Sequence, residues 1–272
     1  MLLFGASLFA ATLAPGVLRA EADRRVRRIA SIAVPLAAAA TLIRLPLTAA
    51  GMGDGWADAL EPATLGTVLS ASDFGHAWAL QIALIAVLAV AARGGSVSGL
   101  AGASGAVLGS LALSGHAAAE PGAIGWLTRG GLALHVLAAG AWIGSLPEVL
   151  ALMRKLRSGR NREAAVALRR FSVAGHGTVA LLIGSGVLDT LLIAGPSRDL
   201  PVSAYGAVLL GKAALAGGMA ALATVNRYRL VPRLPRDPAG AGLALRRNTR
   251  AVLWLGFGAI AASGLLGLLD PP

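Results

Sequence analysis

The sequence predicts an all-α membrane protein, a bundle of about eight transmembrane helices that forms one integral domain over residues 1–272. Only 14% of its residues are charged, whereas a soluble domain carries about a quarter. The mean hydropathy is +0.71, and apolar runs of about 18 or more residues recur along the chain. We predict spans at approximately residues 1–18, 29–50, 74–92, 97–115, 128–153, 171–194, 204–226 and 251–269.

The distribution of basic residues predicts the orientation of these spans. Twenty of the 24 Lys and Arg residues lie in alternate connections, at 19–28, Arg93, 154–170 and 227–250. The positive-inside rule places these connections in the cytoplasm. The same rule places both termini in the periplasm, together with the connections 51–73, 116–127 and 195–203. The net charge of +11 is then explained by topology, with anionic lipid as a partner. We predict no nucleic-acid binding, because no aromatic residues alternate with the basic ones.

The first span lacks the positive N-terminal region of a secretory signal peptide, because its arginines follow the apolar run. It is barely long enough to cross a bilayer, which is compatible with a natural chain that extends upstream of Met1. The second span carries Arg44 near its outer end, where a long side chain can reach the surface. The acidic outer segment that follows includes Met52 and is typical of a solvated loop, although its charge would also attract cations.

The third span begins at Asp73, whose carboxylate suits the positive end of the helix dipole and is expected to cap the helix. His76 lies three residues further along, on the same face. The fourth span repeats small residues, at Ala101, Gly105 and Gly109, which allow helices to approach closely. It ends before His116.

The stretch 114–146 is the part of the chain most clearly marked for function. It brings His116 to the end of the fourth span, passes Glu120 in a short Pro/Gly turn, and enters the fifth span. That span carries His135 about two turns inside, with Trp142 seven residues later on the same face. A histidine within a membrane-spanning helix is costly to bury, so it indicates a functional site.

Two further charges lie inside predicted spans. Lys212 is about eight residues inside the seventh span, on the order of 12 Å along the helix. Asp189 lies at a similar depth in the sixth span, which the short hairpin connection is expected to make a neighbour of the seventh. We therefore predict a Lys212–Asp189 ion pair with Arg44 nearby, because an unpaired buried ammonium is unfavourable. The eighth span contains no ionisable residue and is interpreted as scaffold.

The sequence also excludes several kinds of chemistry. It contains no cysteine, which excludes disulfides, iron–sulfur clusters and thiolate metal sites. It contains no nucleotide-binding loop motif and no soluble domain that would hold a nucleotide. We therefore expect that the protein is not an enzyme, and that any transport is passive or driven by an ion gradient.

Five segments, in order along the chain, resemble the copper resistance protein D (CopD/PcoD) family of bacterial inner-membrane proteins. They are SGHAA (114–118), LHVLAAGAWIGSL (134–146), RRFS (169–172), YGAVLLGK (205–212) and NRYRLVPRL (226–234). The resemblance implies a protein that moves copper from the periplasm inward, alongside a periplasmic carrier of the CopC type. His116, His135, Trp142, Lys212 and Asn226 match family positions, whereas His176 departs from the family pattern.

From these observations we predict a copper-binding or copper-transporting protein with an outward-facing histidine site. His116 and His135 are the predicted ligands and His76 the third, while Trp142, Asp73, Glu120 and Met52 are possible accessory residues. Imidazole suits both Cu(I) and Cu(II), so the oxidation state stays open. One alternative is a membrane electron-transfer protein in which two of these histidines ligate haem b. Another is a structural membrane partner without a ligand.

Overall fold

The computed structural model describes residues 1–115, 121–155, 161–195 and 199–271, and the regular structure in these ranges is entirely helical. The described α-helices, numbered in chain order, are α1 (Leu2–Thr12), α2 (Gly16–Met52), α3 (Pro62–Ala71), α4 (Asp73–Gly94), α5 (Val97–Gly109), α6 (Gly122–Lys155), α7 (Asn161–Ile193), α8 (Ala204–Val225) and α9 (Pro238–Leu266). A 3-10 turn continues α5 to Leu113. A π-helical turn, Asn226–Leu230, continues α8. The prediction of an all-α polytopic bundle is confirmed.

Six of these helices, α2, α4, α6, α7, α8 and α9, are long and apolar enough to cross a membrane. They coincide with six of the eight predicted spans. The other two predicted spans correspond to the shorter apolar helices Leu2–Thr12 and Val97–Leu113. Eleven residues of α-helix are only about 16 Å long, roughly half the thickness of the hydrocarbon core. The count of eight spans and the periplasmic position of both termini therefore stay predictions.

Several segments predicted to be connections are helical. The arginine-rich residues 19–28 form the first turns of α2, and residues 238–250 form the first turns of α9. Arg is a good helix former, so a helix can continue beyond the bilayer through such a segment. The acidic segment 51–73 also contains a helix, α3. Its N-terminus is capped by Glu61, which accepts a hydrogen bond from the Thr64 amide at 3.0 Å.

The N-terminus of α4 is capped by a different residue from the one predicted. Ser72 Oγ accepts a hydrogen bond from the Gly75 amide at 3.0 Å, so Ser72 is the N-cap. Asp73 is instead the first helical residue, where its exposed carboxylate is favourably placed relative to the helix dipole.

Helix α6 lies at the centre of the bundle. It packs along α7 and also contacts α1, α5 and α9, and most of its inner half is buried. The contact with α1 is a backbone-to-backbone approach, because a Cβ atom added at Gly5 would overlap the backbone of Gly144. Ser145 Oγ also donates to the Gly5 carbonyl at 2.9 Å. Small residues thus allow α1 to lie directly against the central helix.

A network of ion pairs joins α2 to the C-terminal end of α6. Arg25 donates from Nε and Nη2 to the carboxylate of Glu148, at 3.1 and 2.5 Å. Glu21 lies 3.8 Å from Arg25 and also pairs with Lys155. The Glu148 side chain is only 1% exposed. The cation that pairs with Glu148 is therefore contributed by α2 and not by its own helix.

Candidate functional site

A cluster of polar side chains lies around His135, in the half of the bundle for which the distribution of basic residues predicts a periplasmic position. His135 Nδ1 is 3.1 Å from Ser185 Oγ of α7, and the histidine ring lies against Gly186, where an added Cβ would be 3.1 Å from Cε1. Ser185 also donates to the Leu181 carbonyl at 2.6 Å. Its hydroxyl proton is therefore engaged along its own helix, which leaves the oxygen to accept from an Nδ1–H group. This contact would hold the histidine ring in one orientation.

Asp189 lies one turn further out on α7. It is 8% exposed, and its Oδ1 atom is buried with no hydrogen-bond partner. The same atom would be 2.5 Å from a Cβ added at Gly131, so it lies directly against α6. Lys212 of α8 lies close enough to both Asp189 and His135 to influence them electrostatically. The site therefore combines an imidazole, a carboxylate with an unpartnered oxygen and an ammonium group, contributed by three helices.

The predicted direct ion pair between Lys212 and Asp189 is not present, because their charged atoms are not within 4.0 Å of each other among the described residues. The reason lies in the helix packing. The sequence suggested that the sixth and seventh spans are neighbours, but α7 packs mainly along α6 and α8 packs mainly along α9. Lys212 and Asp189 interact only at longer range.

Arg44, which was predicted to lie near this pair, makes its hydrogen bonds with other groups. Arg44 donates from Nη1 to Gln81 Oε1 at 3.1 Å and from Nη2 to Ser114 Oγ at 3.0 Å. Its guanidinium carbon is 5.4 Å from the ring centroid of Phe74. Arg44 therefore joins α2, α4 and the segment that follows α5. Ser114 immediately precedes the stretch that carries the predicted ligand His116.

The remaining predicted site residues are only partly brought together. His76 lies in the first turn of α4 and is exposed, as are Asp73 and Met52. Helix α4 packs beside α5, which is the arrangement that His76 needs in order to approach the fourth span. His116 and Glu120 lie outside the described residues. Within the described ranges, no group of three His, Cys, Asp or Glu residues is close enough to hold a metal ion.

Trp142 is buried in an apolar cluster two turns inward from His135. It packs with Ile143 and Leu146 of α6, Met219 of α8 and Val252 of α9. Met219 is 2% exposed. This thioether therefore fills space in the core, as methionine commonly does.

Ser185 and Arg25 were not among the site or pairing residues predicted from the sequence. Ser185 and Asp189 are four residues apart and share a face of α7, a pattern that could have associated them with one site. The contact of Ser185 with His135 depends on the register between α6 and α7, which the sequence does not specify. Arg25 was taken as a topology signal alone, although a carboxylate near the inner end of α6 needs a cationic partner.

The long apolar helices and the polar cluster between them define a multi-pass α-helical membrane protein with a polar site inside the bilayer. Two family models match the chain. They are described as copper resistance protein D-like, N-terminal domain, at residues 1–126, and copper resistance protein D, at residues 165–266.

The inner membrane protein YebZ of Escherichia coli is 32% identical over 274 residues, which covers all of this chain and 94% of the relative. Copper resistance protein D of Pseudomonas syringae is 30% identical over 290 residues, covering all of this chain and 93% of the relative. The copper transport protein CutJ of Bacillus subtilis is 30% identical over 217 residues, covering 75% of this chain and 39% of the relative. No solved structure matched.

The chain belongs to the copper resistance protein D family, as the resemblance of its motifs had suggested, and it is a multi-pass protein of the inner membrane.

Proposed function

We propose that the protein carries copper across the inner membrane, from the periplasm toward the cytoplasm, and binds it first at an outward-facing site centred on His135. The observation that carries this proposal is the polar cluster of His135, Ser185, Asp189 and Lys212 inside the membrane. Such groups are costly in a bilayer unless they serve a substrate or ion pathway. The names of the relatives from Pseudomonas syringae and Bacillus subtilis support copper as the substrate.

The donor set fits a copper ion that binds transiently. His135 supplies an imidazole that a hydrogen bond to Ser185 orients, and imidazole accepts either Cu(I) or Cu(II). His116 and His76 are the other proposed ligands, on the segment after α5 and on the first turn of α4. Asp189 adds an anionic oxygen that draws a cation inward, and Lys212 offsets that charge when the site is empty. Such a site would release copper more readily than a thiolate site.

The protein would act without catalysing a reaction, as a carrier driven by the copper gradient or by a coupled ion. The acidic residues of the outer segment are the exposed Asp54, Glu61 and Asp73 and the half-buried Asp58. They would raise the local concentration of cations at the entrance. A periplasmic copper carrier of the CopC type is the proposed donor. Anionic lipid is the proposed partner of the basic inner surface.

Histidine variants test the proposal directly. We expect His135→Ala and His116→Ala each to lower the copper bound per purified protein and the copper accumulated by cells at least tenfold, with a smaller effect for His76→Ala. His176→Ala is the matched control. His176 is exposed near the middle of α7, and its Nε2 atom is 3.2 Å from the hydroxyl oxygen of Tyr228. Full copper binding by the His135 and His116 variants, or a loss confined to the His176 variant, would contradict the outer site.

An absorbance spectrum of the purified protein separates this proposal from the haem alternative. A copper carrier gives no Soret band, whereas a b-type haem ligated by two of these histidines gives an intense one. A Soret band that disappears in His135→Ala would replace copper transport with electron transfer as the function of the site.

A further inference from the structure

The contact between α6 and α7 has a regular register that extends inward from His135. Gly131 faces Asp189, and one turn further in His135 faces Ser185. Because the two helices are antiparallel, each turn inward on α6 corresponds to a turn toward the N-terminus of α7. Two turns below His135 and Ser185, this register brings Trp142 level with Thr178. The distance along the helix axis is about 10 Å.

A cavity of about 110 Å³ lies at this level, between α1, α6 and α7, and it is partly open at the bundle surface, where Thr12 and Ala174 are exposed. Its polar lining comes from Thr12, Trp142, Ser145 and Thr178. The three hydroxyl groups donate to backbone carbonyls, for example Thr178 to Ala174 at 3.0 Å, so their oxygens still have acceptor capacity. The volume is sufficient for several water molecules.

Trp142 is a second indication that the cavity is hydrated. The residue is 5% exposed, yet its indole N–H donates to no group within the described part of the chain. A buried tryptophan usually finds a hydrogen-bond acceptor, and water in the adjoining cavity would supply one. The face of an indole ring also attracts cations.

Two aromatic rings form part of the cavity wall on the side away from His135. Phe9 of α1 and Phe171 of α7 line it, and their ring centroids are 6.1 Å apart. Beyond them lies an apolar cluster that includes Val149, Leu152 and Leu245. Apolar constrictions of this kind close a pathway by excluding water.

We propose that this cavity is the inner half of the copper pathway, entered from the His135 site and closed toward the cytoplasm by Phe9 and Phe171. The proposal rests on the proposed function of copper transport. It adds a route from the histidine site to the cytoplasmic side, which the histidine site alone does not supply. Copper leaves the outer site along the α6–α7 interface and passes Trp142 and Thr178 as a hydrated ion. It reaches the cytoplasm when the two phenylalanine rings separate.

Cysteine accessibility provides the test, because the chain contains no cysteine of its own. Thr178→Cys places a thiol of similar size in the cavity wall. Leu181→Cys is the matched control, one turn away on the same helix with a side chain 50% exposed on the outer surface of the bundle. A small cationic methanethiosulfonate is supplied on both sides of membrane vesicles. We expect it to modify the Thr178→Cys variant at least tenfold faster than the Leu181→Cys variant.

The same modification should stop copper uptake by the Thr178→Cys protein and leave the copper bound at the outer site unchanged. Equal, slow modification of both variants would show that a lipid chain fills the cavity and would overturn the pathway. Unaltered uptake after complete modification would overturn it as well. In both cases normal uptake by the wild-type protein would leave the proposed function standing. A wild-type protein that takes up no copper would refute the proposed function and the pathway together.

Discussion

The ion pair between Arg25 and Glu148 predicts unequal consequences when either partner is removed. The Glu148 side chain is 1% exposed, whereas that of Arg25 is 32% exposed. Arg25 also lies 3.8 Å from the carboxylate of Glu21. Arg25→Leu therefore strands a carboxylate almost wholly out of water, while Glu148→Leu leaves a guanidinium that solvent and a second carboxylate still stabilise.

Removing one partner of a buried ion pair costs about 3–5 kcal/mol. We expect Arg25→Leu to fall in this range. Solvent screening reduces the cost of Glu148→Leu to about 1–3 kcal/mol. Arg25→Leu combined with Glu148→Leu should restore most of the lost stability, because it removes both charges and leaves apolar groups in their place.

Thermal unfolding of the purified protein in one detergent at neutral pH measures all three variants. At roughly 2–4 °C per kcal/mol, the midpoint should fall on the order of 10 °C for Arg25→Leu and clearly less for Glu148→Leu. Equal shifts, the reverse order, or a double variant less stable than both single variants would refute the argument that unequal burial decides the cost.

Three further predictions concern packing, hydrogen bonding and capping. Gly5→Ala should destabilise the protein by about 1–3 kcal/mol because the added Cβ overlaps the backbone of α6. Gly102→Ala is the control, because its added Cβ meets open space. It should raise the unfolding midpoint slightly in the same thermal assay. Arg44→Met should cost about 1–3 kcal/mol by the same measurement, because it leaves the buried amide of Gln81 without its donor; a midpoint equal to that of the wild type would contradict this. Hydrogen bonds from Thr64 lower the pKa of the Glu61 carboxyl below its ordinary value. The ionised carboxylate therefore stabilises α3 at pH values above the pKa that Glu61 has in the unfolded chain. This stabilisation is lost as the pH falls through the lower pKa that Glu61 has in the folded protein. Glu61→Gln should accordingly speed amide exchange in α3 at pH 7 but not at about pH 3, and equal acceleration at both pH values would exclude the charge effect.

The long helices could be predicted from the sequence because an apolar run of bilayer length leaves few alternatives to a helix. Their ends could not, and α2 illustrates why. The predicted span was 29–50, but the helix covers Gly16–Met52. Hydropathy detects only the part of a helix that lies in lipid, whereas residues 19–28 extend the same helix beyond it and pair with α6. The segment 51–73 was likewise judged by its charge, although Glu61 and Pro62 form a helix start.

The candidate site was predictable in composition but not in arrangement. His135, Asp189 and Lys212 were identified because ionisable residues within apolar runs are rare and costly. Their relationship depends on which helices are neighbours, and the short hairpin connection between α7 and α8 suggested the wrong pair. Ser185 carries no charge, so only the structure associates it with His135.

The contacts of α6 with α1, α9 and α7 differ in chemistry, and the difference explains where a polar route can exist. Against α1 the helix approaches through Gly5 and Gly144 with no space between the backbones. Against α9 the contact is apolar, with Ile143 filling the position beside Gly256. Against α7 it includes polar groups, from Asp189 through His135 and Ser185 to Thr178 beside the cavity. A cation bound at His135 would therefore have hydroxyl oxygens of α7 beside it and again two turns further in. The close packing of α1 gives the cavity its opposite wall, so the small residues of α1 and the polar residues of α7 together define the route.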